Sequence, residues 1–213
     1  MMDIAPFSEF PFCYSGVYTT MHRRLIVFLI AAVTTLAAQQ SDFTQRLVVA
    51  ADDRPNHPAR YDPEYVRIPY PNGDVPADTG VCTDEIIRIY RTVGIDLQKL
   101  VHEDMVGHRS AYPMGHLDTN IDHRRVPNLR AFFARHGQSL PVTSNPSDYL
   151  PGDIVTWKLP RGYDHIGMVA DRKSGTGRRL VEHNIGEGPK IENVLFEWKI
   201  TGHYRYRPAS SRQ

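Results

Sequence analysis

Asp78-Thr79-Gly80-Val81-Cys82-Thr83-Asp84-Glu85-Ile86-Ile87 is the stretch of sequence that decides the fold of this chain. Residues that often cap helices precede Cys82, two acidic residues follow within one turn, and the apolar residues after them recur at helical spacing. The stretch therefore predicts a helix that begins at Cys82. A thiol at a helix N-terminus lies at the positive end of the helix dipole, which favours the reactive thiolate.

The predicted helix continues to about Val93 and ends at Gly94, a residue type that commonly terminates helices. Its spacing separates an apolar face from charged residues. We expect the buried face to hold Cys82, Ile86, Ile89, Tyr90 and Val93, and we expect Asp84, Arg88 and Arg91 to lie away from it. A position at the end of a buried face would fix the side chain of Cys82.

The N-terminal region has the parts of a secretory signal peptide. Basic residues follow Met21, an apolar run covers residues 25–36, and small residues come next. We expect translation to begin at Met21, with residues 1–20 upstream of the true start, and cleavage to follow Ala37 or Ala38. The alternative is an uncleaved N-terminal anchor, but the apolar run is short for a membrane span. We therefore expect a periplasmic or secreted protein without stable membrane insertion after cleavage.

Composition narrows the remaining possibilities. Residues 39–213 are enough for a single domain, with a core at about residues 61–207. The formal net charge is only +1, so charge gives no argument for binding nucleic acid. Cys13 lies before the leader, which leaves Cys82 without a partner for an internal disulfide. Cys82 is therefore either a buried, inert residue or a residue kept for its reactivity.

Helical spacing dominates the first part of the domain, and strand alternation dominates the last part. This order favours an α+β fold in which N-terminal helices pack on an antiparallel sheet. We predict helices over residues 41–53, 82–93, 97–106 and 127–137, and strands over residues 154–157, 165–170, 180–183, 191–196 and 203–206.

The polar segment 110–125 holds two histidines, two aspartates and two arginines, and it has no clear secondary structure. It has three interpretations: a loop held by hydrogen bonds and ion pairs, a cation site, or a wall that faces a substrate. Arg124 or Arg125 could bind a carboxylate through its guanidinium fork. We expect no metal site in the chain, since His102 and His108 are six residues apart and a zinc helix needs histidines four apart.

Cys82 becomes a candidate nucleophile when the rest of the sequence is screened for hydrolase chemistry. The chain has no serine elbow of the G-x-S-x-G type and no phosphate-binding glycine loop. A thiol hydrolase needs a histidine base and a polar group to orient it. His165 and His183 lie on neighbouring predicted strands, and Asn184 could replace His183, because alternation lets only one of the two face the site.

Four motifs resemble an exported bacterial family known as a domain of unknown function. They are Gly80-Val81-Cys82-Thr83-Asp84, the segment Asp122 to Leu129, Pro151-Gly152-Asp153-Ile154-Val155, and His165-Ile166-Gly167-Met168-Val169. The resemblance covers about residues 61–206. That family looks like a distant member of the papain-like NlpC and CHAP group of cysteine peptidases and amidases, which often cut peptidoglycan peptides. Two features depart from the group: Val81-Cys82-Thr83 replaces Asp-Cys-Ser, and the hairpin after His165 is long.

The resemblance implies a papain-like (NlpC-type) domain in which Cys82 is the nucleophile, His165 the base, and His183 or Asn184 the orienting residue. The N–H of Cys82 is a natural oxyanion donor, because the first amides of a helix lack internal partners. Tyr61 or Tyr70 would add a second donor. Candidate substrate-binding residues are Asp122, His123, Arg124, Trp157 and Tyr163.

The sequence therefore supports the hypothesis of an exported cysteine hydrolase that cleaves an amide bond in peptidoglycan stem peptides. It would act through a thioester, without a cofactor, and as a monomer. Two alternatives stay open: a non-catalytic cell-wall-binding module on the same fold, and a thioester-using acyltransferase or transpeptidase.

Overall fold

The computed structural model describes Gln39, residues 42–114 and residues 116–208. The expected leader and the extension before it lie outside these residues. The described chain has an α+β fold, as the sequence predicts, with helices first and an antiparallel sheet afterwards. No helix in this part of the chain is long and apolar enough to cross a membrane.

Four helices form the first layer of the described chain. They are α1 (residues 42–53), α2 (Cys82–Thr92), α3 (Leu97–Gly107) and α4 (Val126–His136). Asp96 caps α3, because its side chain accepts hydrogen bonds from the backbone of Gln98 and Lys99. Pro127 lies in the first turn of α4, where a missing N–H costs nothing. The sequence therefore gives the starts of these helices to within a residue.

The strands form a six-stranded sheet and a separate short pair. The parallel pair joins β1 (Arg60–Tyr61) to β2 (Thr79–Gly80), just before Cys82. The sheet has the order β3-β8-β4-β5-β6-β7 and is antiparallel throughout. Its strands are β3 (Gln138–Ser139), β4 (Ile154–Lys158), β5 (Asp164–Lys173), β6 (Arg179–Asn184), β7 (Pro189–Glu192) and β8 (Lys199–Arg205). The prediction that the fourth strand extends to residue 196 is wrong: β7 ends at Glu192, and the backbone N–H of Glu197 closes a turn onto the carbonyl of Val194.

The sheet separates two apolar cores. Alternate residues of β5, Ile166 and Met168, pack with Cys82 and Ile86 of α2 in the larger core. Trp157 belongs to the smaller core, on Val169 and Val181 of the sheet. This alternation is the period of two expected of strands with a core on each side.

Helix α2 is buried along its first nine residues, from Cys82 to Tyr90. The expectation that Asp84 and Arg88 lie away from the buried face is therefore wrong. Arg88 donates to Asp74 and to the backbone carbonyl of Thr79, and Asp84 accepts from the backbone of Val81. These contacts satisfy the buried charges, so spacing alone could not reveal them.

A buried group of charges joins α2 to β6. Arg54 donates to Glu85 of α2 over 2.6 Å. Glu182 of β6 is fully buried beside them, and neither of its carboxyl oxygens has a hydrogen-bond partner. Burial is the main cause that raises the pKa of both glutamates, and for Glu182 the charge of Glu85 raises it further. The junction between helix and sheet therefore holds a carboxyl group that resists ionisation.

Candidate active site

Cys82 lies at the first position of α2 and lines a cleft of about 380 Å³. Its side chain is only 5% exposed. The cleft is also lined by Tyr61, Pro63, Arg124, Arg125 and Asp164, among other residues. A substrate carbonyl that enters this cleft would meet the thiol and the N-terminus of α2 together.

The electrostatics of Cys82 differ from the sequence expectation. Burial raises the pKa of the thiol to about 12, and the backbone N–H groups of Ile166 and Thr83 only partly oppose the increase. The helix dipole was expected to favour the thiolate, but the loss of solvent outweighs it. Cys82 is therefore a neutral thiol at physiological pH. The influence of the Ile166 amide also places the thiol beside the start of β5.

His165 and His183 form a hydrogen-bonded pair across β5 and β6. The distance from His165 Nε2 to His183 Nδ1 is 2.9 Å, and His183 Nε2 lies 3.0 Å from Glu192 Oε2 on β7. A carboxylate can only accept, so His183 donates through Nε2 and accepts through Nδ1. His165 must then carry its proton on Nε2. Its Nδ1 is left with a lone pair, as a general base requires.

The ring of His165 is neutral as well as oriented. Burial, aided by the nearby His183, lowers the pKa of His165 to about 3. Burial also lowers the pKa of His183, although Glu192 opposes that shift. In the described chain no hydrogen bond joins Cys82 to His165. The two groups thus stand as a neutral thiol and a neutral imidazole.

Two tryptophans cover the histidine pair. Trp157 lies directly opposite His165 in the β4–β5 register, with ring centroids 5.8 Å apart, and Trp198 contacts the rings of both histidines. Trp157 is fully buried and donates to the carbonyl of Leu195. It therefore supports the imidazole from within the core, and the expectation that it forms a cleft wall is wrong.

Asn184 lies on the other side of β6 from His183. Its Nδ2 approaches the carbonyl of Gly80 at 3.5 Å, and its Oδ1 accepts from the backbone of Gly186. The structure therefore places His183, and not Asn184, against His165. Asn184 instead supports the segment that leads into Cys82.

Arg124 lies in the cleft wall but is held by Asp84. Its guanidinium donates to both carboxylate oxygens of Asp84, over 2.8 and 3.1 Å, and also to the carbonyl of Glu64. Thr83 donates to the carbonyl of Arg124, which adds a second link between α2 and this loop. Arg124 therefore shapes the wall while its donors are already occupied.

The other two polar residues predicted to bind substrate are buried outside the cleft lining. Asp122 accepts from the backbone of Asp118 and bonds to Nδ1 of His102. His123 is 1% exposed, and burial lowers its pKa to about 3. These residues hold the 110–125 segment together, which matches the first of its three interpretations. Across the described ranges no group of three His, Cys, Asp or Glu residues could hold a metal ion.

The two tyrosine candidates lie in different places. Tyr61 of β1 lines the cleft with Cys82, and burial together with the negative charge that Cys82 and Asp84 can carry raises its pKa to about 12. Its hydroxyl is therefore a proton donor at neutral pH. Tyr70 lies outside the lining and packs edge-on against His102, with ring centroids 5.4 Å apart. Tyr163 is 66% exposed and is also not part of the cleft lining.

Glu192 is a residue of the site that sequence reasoning missed. It contacts His183 diagonally across β6 and β7, where His183 pairs with Lys190. The predicted strand at residues 191–196 included Glu192, but the register between the two strands depends on the Gly186–Gly188 turn. Nothing in the spacing singled out this carboxylate, since 42% of its side chain is exposed.

Comparisons with known proteins agree with the motifs. The family described as "Domain of unknown function (DUF1287)" matches residues 48–206, which include every residue of the site. The chain is also similar to the "Uncharacterized protein YijF" of Escherichia coli (strain K12). The two are 53% identical over 150 residues, which cover 68% of this chain and 73% of YijF. The chain therefore belongs to the DUF1287 family.

Proposed function

We propose that this protein is a papain-like, NlpC-type cysteine hydrolase that cleaves an amide bond. The proposal rests on a cysteine that opens a helix and lines a cleft, and on the oriented His165–His183–Glu192 chain, which begins one residue before Ile166, whose backbone N–H acts on the thiol. The ring of His165 itself packs against Trp157 and is not part of the cleft lining. A nucleophile, a base with a free lone pair and an orienting group are the parts that thiol hydrolysis needs.

The reaction begins from the neutral pair. The reaction requires the imidazole of His165 to come within hydrogen-bond reach of the thiol when a substrate carbonyl enters the cleft. Nδ1 of His165 then takes the proton of the Cys82 thiol as the sulfur attacks the carbonyl carbon. The oxyanion faces the N–H of Cys82 at the start of α2 and the hydroxyl of Tyr61. His165 then gives its proton to the departing amine, and a thioester remains. A water molecule, activated by His165, hydrolyses the thioester and restores the thiol.

Peptidoglycan stem peptides are the proposed substrate class. The support is the signal-peptide pattern at residues 21–38 and the resemblance of the four motifs to a group that often cuts such peptides. Export to the periplasm or the exterior would bring the enzyme to this substrate. N-terminal sequencing of the exported protein should find a chain that begins at Ala38 or Gln39, and a mature chain that begins at Met1 would contradict export by this route.

The test of catalysis compares variants on purified peptidoglycan fragments, with products identified by mass spectrometry. Cys82→Ala and His165→Ala should release no new peptide or amine above background. His57→Ala is the matched control, since His57 is an exposed histidine outside the cleft lining, and it should cleave like the wild type. Equal product release by wild type and Cys82→Ala would overturn the proposal.

A non-catalytic cell-wall-binding module is the second candidate function. The burial of Cys82, its raised pKa and the lack of a hydrogen bond from it to His165 favour this alternative. A binding module would retain peptidoglycan in a pull-down as wild type and as Cys82→Ala, and neither would release product. An acyltransferase would instead release a product whose mass includes an added amine acceptor.

A further inference from the structure

The cleft beside Cys82 has one charged side chain without a partner. Arg124 is bound to Asp84, and Asp164 pairs with Lys158 at 3.0 Å. Arg125, which also lines the cleft and is partly buried, makes no hydrogen bond or ion pair through its side chain with any described residue. An unpaired guanidinium in a cleft is a ready binding group for an anion.

Asp118, whose charge interacts with that of Arg125, forms no ion pair with it. Arg125 lowers the pKa of Asp118, but burial and the hydrogen bonds from Asn120 and Tyr65 act on it more strongly. The carboxylate of Asp118 is instead taken by the hydroxyl of Tyr65 and by the backbone and side chain of Asn120. The positive charge of Arg125 is therefore left to the cleft.

The surrounding backbone reinforces this charge. Val126 and Pro127, the first residues of α4, line the same cleft as Cys82 and Thr83, the first residues of α2. Two helices thus begin at one cleft, and each contributes the positive end of its dipole. The paired charges of the cleft cancel, so the field that a ligand meets is positive.

We infer that Arg125 binds a free carboxylate of the substrate, which makes the substrate class peptides with a carboxylate close to the scissile amide. The inference rests on the proposed function for the position of the scissile bond. The guanidinium fork matches the two oxygens of a carboxylate, whereas a carboxamide offers one acceptor and no charge. The enzyme should therefore discriminate between an acid and its amide.

The experiment measures binding separately from catalysis. A synthetic, N-acetylated stem peptide is made in two forms, with its carboxylates free or converted to carboxamides. Both are titrated into the Cys82→Ala protein by calorimetry. The acid form should bind about tenfold more tightly or better, as a charge-assisted fork predicts. Adding Arg125→Gln should reduce the preference to about twofold or less, and Arg125→Lys should keep part of it.

Arg178→Gln is the matched control, because Arg178 is an exposed arginine of the β5–β6 turn outside the cleft lining. It removes the same charge and should leave the preference intact. Equal binding of both peptides, no measurable binding of either, or a preference that survives Arg125→Gln would overturn the inference. If the wild type binds with the expected preference but cleaves neither peptide, the proposed function fails while the inference stands.

Discussion

At the scale of single residues, the candidate site depends on which nitrogen of His165 carries the proton. Hydrogen bonds between side chains on three neighbouring strands fix this tautomer. The carboxylate of Glu192 can only accept, so His183 carries its proton on Nε2 and accepts from Nε2 of His165 through Nδ1. In the proposed mechanism, Glu192 is a positioning residue that acts through His183. Its exposed side chain lies outside the cleft lining, so its effect on catalysis can be separated from substrate binding.

Replacing Glu192 by Ala should lower kcat by about tenfold or more with little change in KM, since wrong tautomers reduce the fraction of competent base. The free energy of unfolding should change by no more than about 0.5 kcal/mol, as at other exposed sites. Nitrogen NMR of the imidazoles should show the proton of neutral His165 on Nε2 in the wild type. In the variant it should show a mixture of the Nε2 and Nδ1 tautomers. Glu197→Ala, on the exposed turn after β7, is the control. An unchanged NMR spectrum would refute the positioning role.

The protonation of Cys82 gives a second prediction at this scale. Because burial raises the pKa of the thiol to about 12, its alkylation by iodoacetamide should keep rising up to about pH 10, without a plateau near neutrality. Cys13 is replaced by Ser for this measurement, so Cys82 is the sole thiol measured. The unfolded protein is the control and should level off above about pH 9. A plateau below pH 7 would show a thiolate–imidazolium pair instead.

At the scale of elements, the site depends on how closely β6 approaches β5. Gly167 makes that approach possible: a Cβ at this position would lie 2.7 Å from the carbonyl oxygen of Glu182, 2.7 Å from Cγ1 of Val181 and 3.2 Å from Cβ of His183. The strand pair therefore has no room for a side chain here. The distance between His165 and His183 follows from this contact.

Gly167→Ala should push β6 outward, destabilise the fold by about 1–3 kcal/mol through overpacking, and reduce kcat because His183 leaves His165. Denaturant unfolding and activity assays measure both effects. Gly175→Ala in the β5–β6 turn is the matched control, since nothing lies within 4 Å of a Cβ there. If both variants behave alike, close strand contact does not set the histidine geometry.

Elements were the level that sequence reasoning captured best. Strong apolar spacing and recognisable caps gave the starts of α2, α3 and α4, and alternation gave the strands that flank His165. The third member of the histidine chain stayed open between His183 and Asn184, because a register shift of one residue exchanges the two faces. Contacts between distant segments, such as Arg124 with Asp84, depend on the assembled fold and leave no periodic signal.

At the scale of the whole molecule, buried ionisable groups make stability depend on pH in two directions. The pKa of His165 is lowered to about 3, so the stability that it contributes is present above about pH 6.5 and is lost as the pH falls. Burial raises the pKa of Glu182. The stability that the neutral carboxyl group contributes is therefore fully present below about pH 4.3 and is lost as the pH rises. The fold should be most stable between these limits.

Glu182→Gln isolates the second contribution. The variant cannot ionise, so it should be more stable than the wild type by about 1–3 kcal/mol at pH 8 and nearly equal to it at pH 4. Denaturant unfolding at several pH values measures the difference in unfolding free energy between the variant and the wild type. The effect of His165 cancels, because both proteins contain it. Glu197→Gln, an exposed substitution, should give a flat difference. A difference for Glu182→Gln that does not grow with pH would contradict the raised pKa.

Asp84 holds the Val81 backbone before Cys82 and, through Arg124, the loop that lines the same cleft. The proposed nucleophile and the proposed substrate wall are therefore not separable modules. A chimera that imports the 110–125 segment from a relative would keep its cysteine in register only if the imported loop brings an arginine to meet Asp84. Exchanging specificity within this scaffold is thus a problem of transplanting paired residues, not single loops.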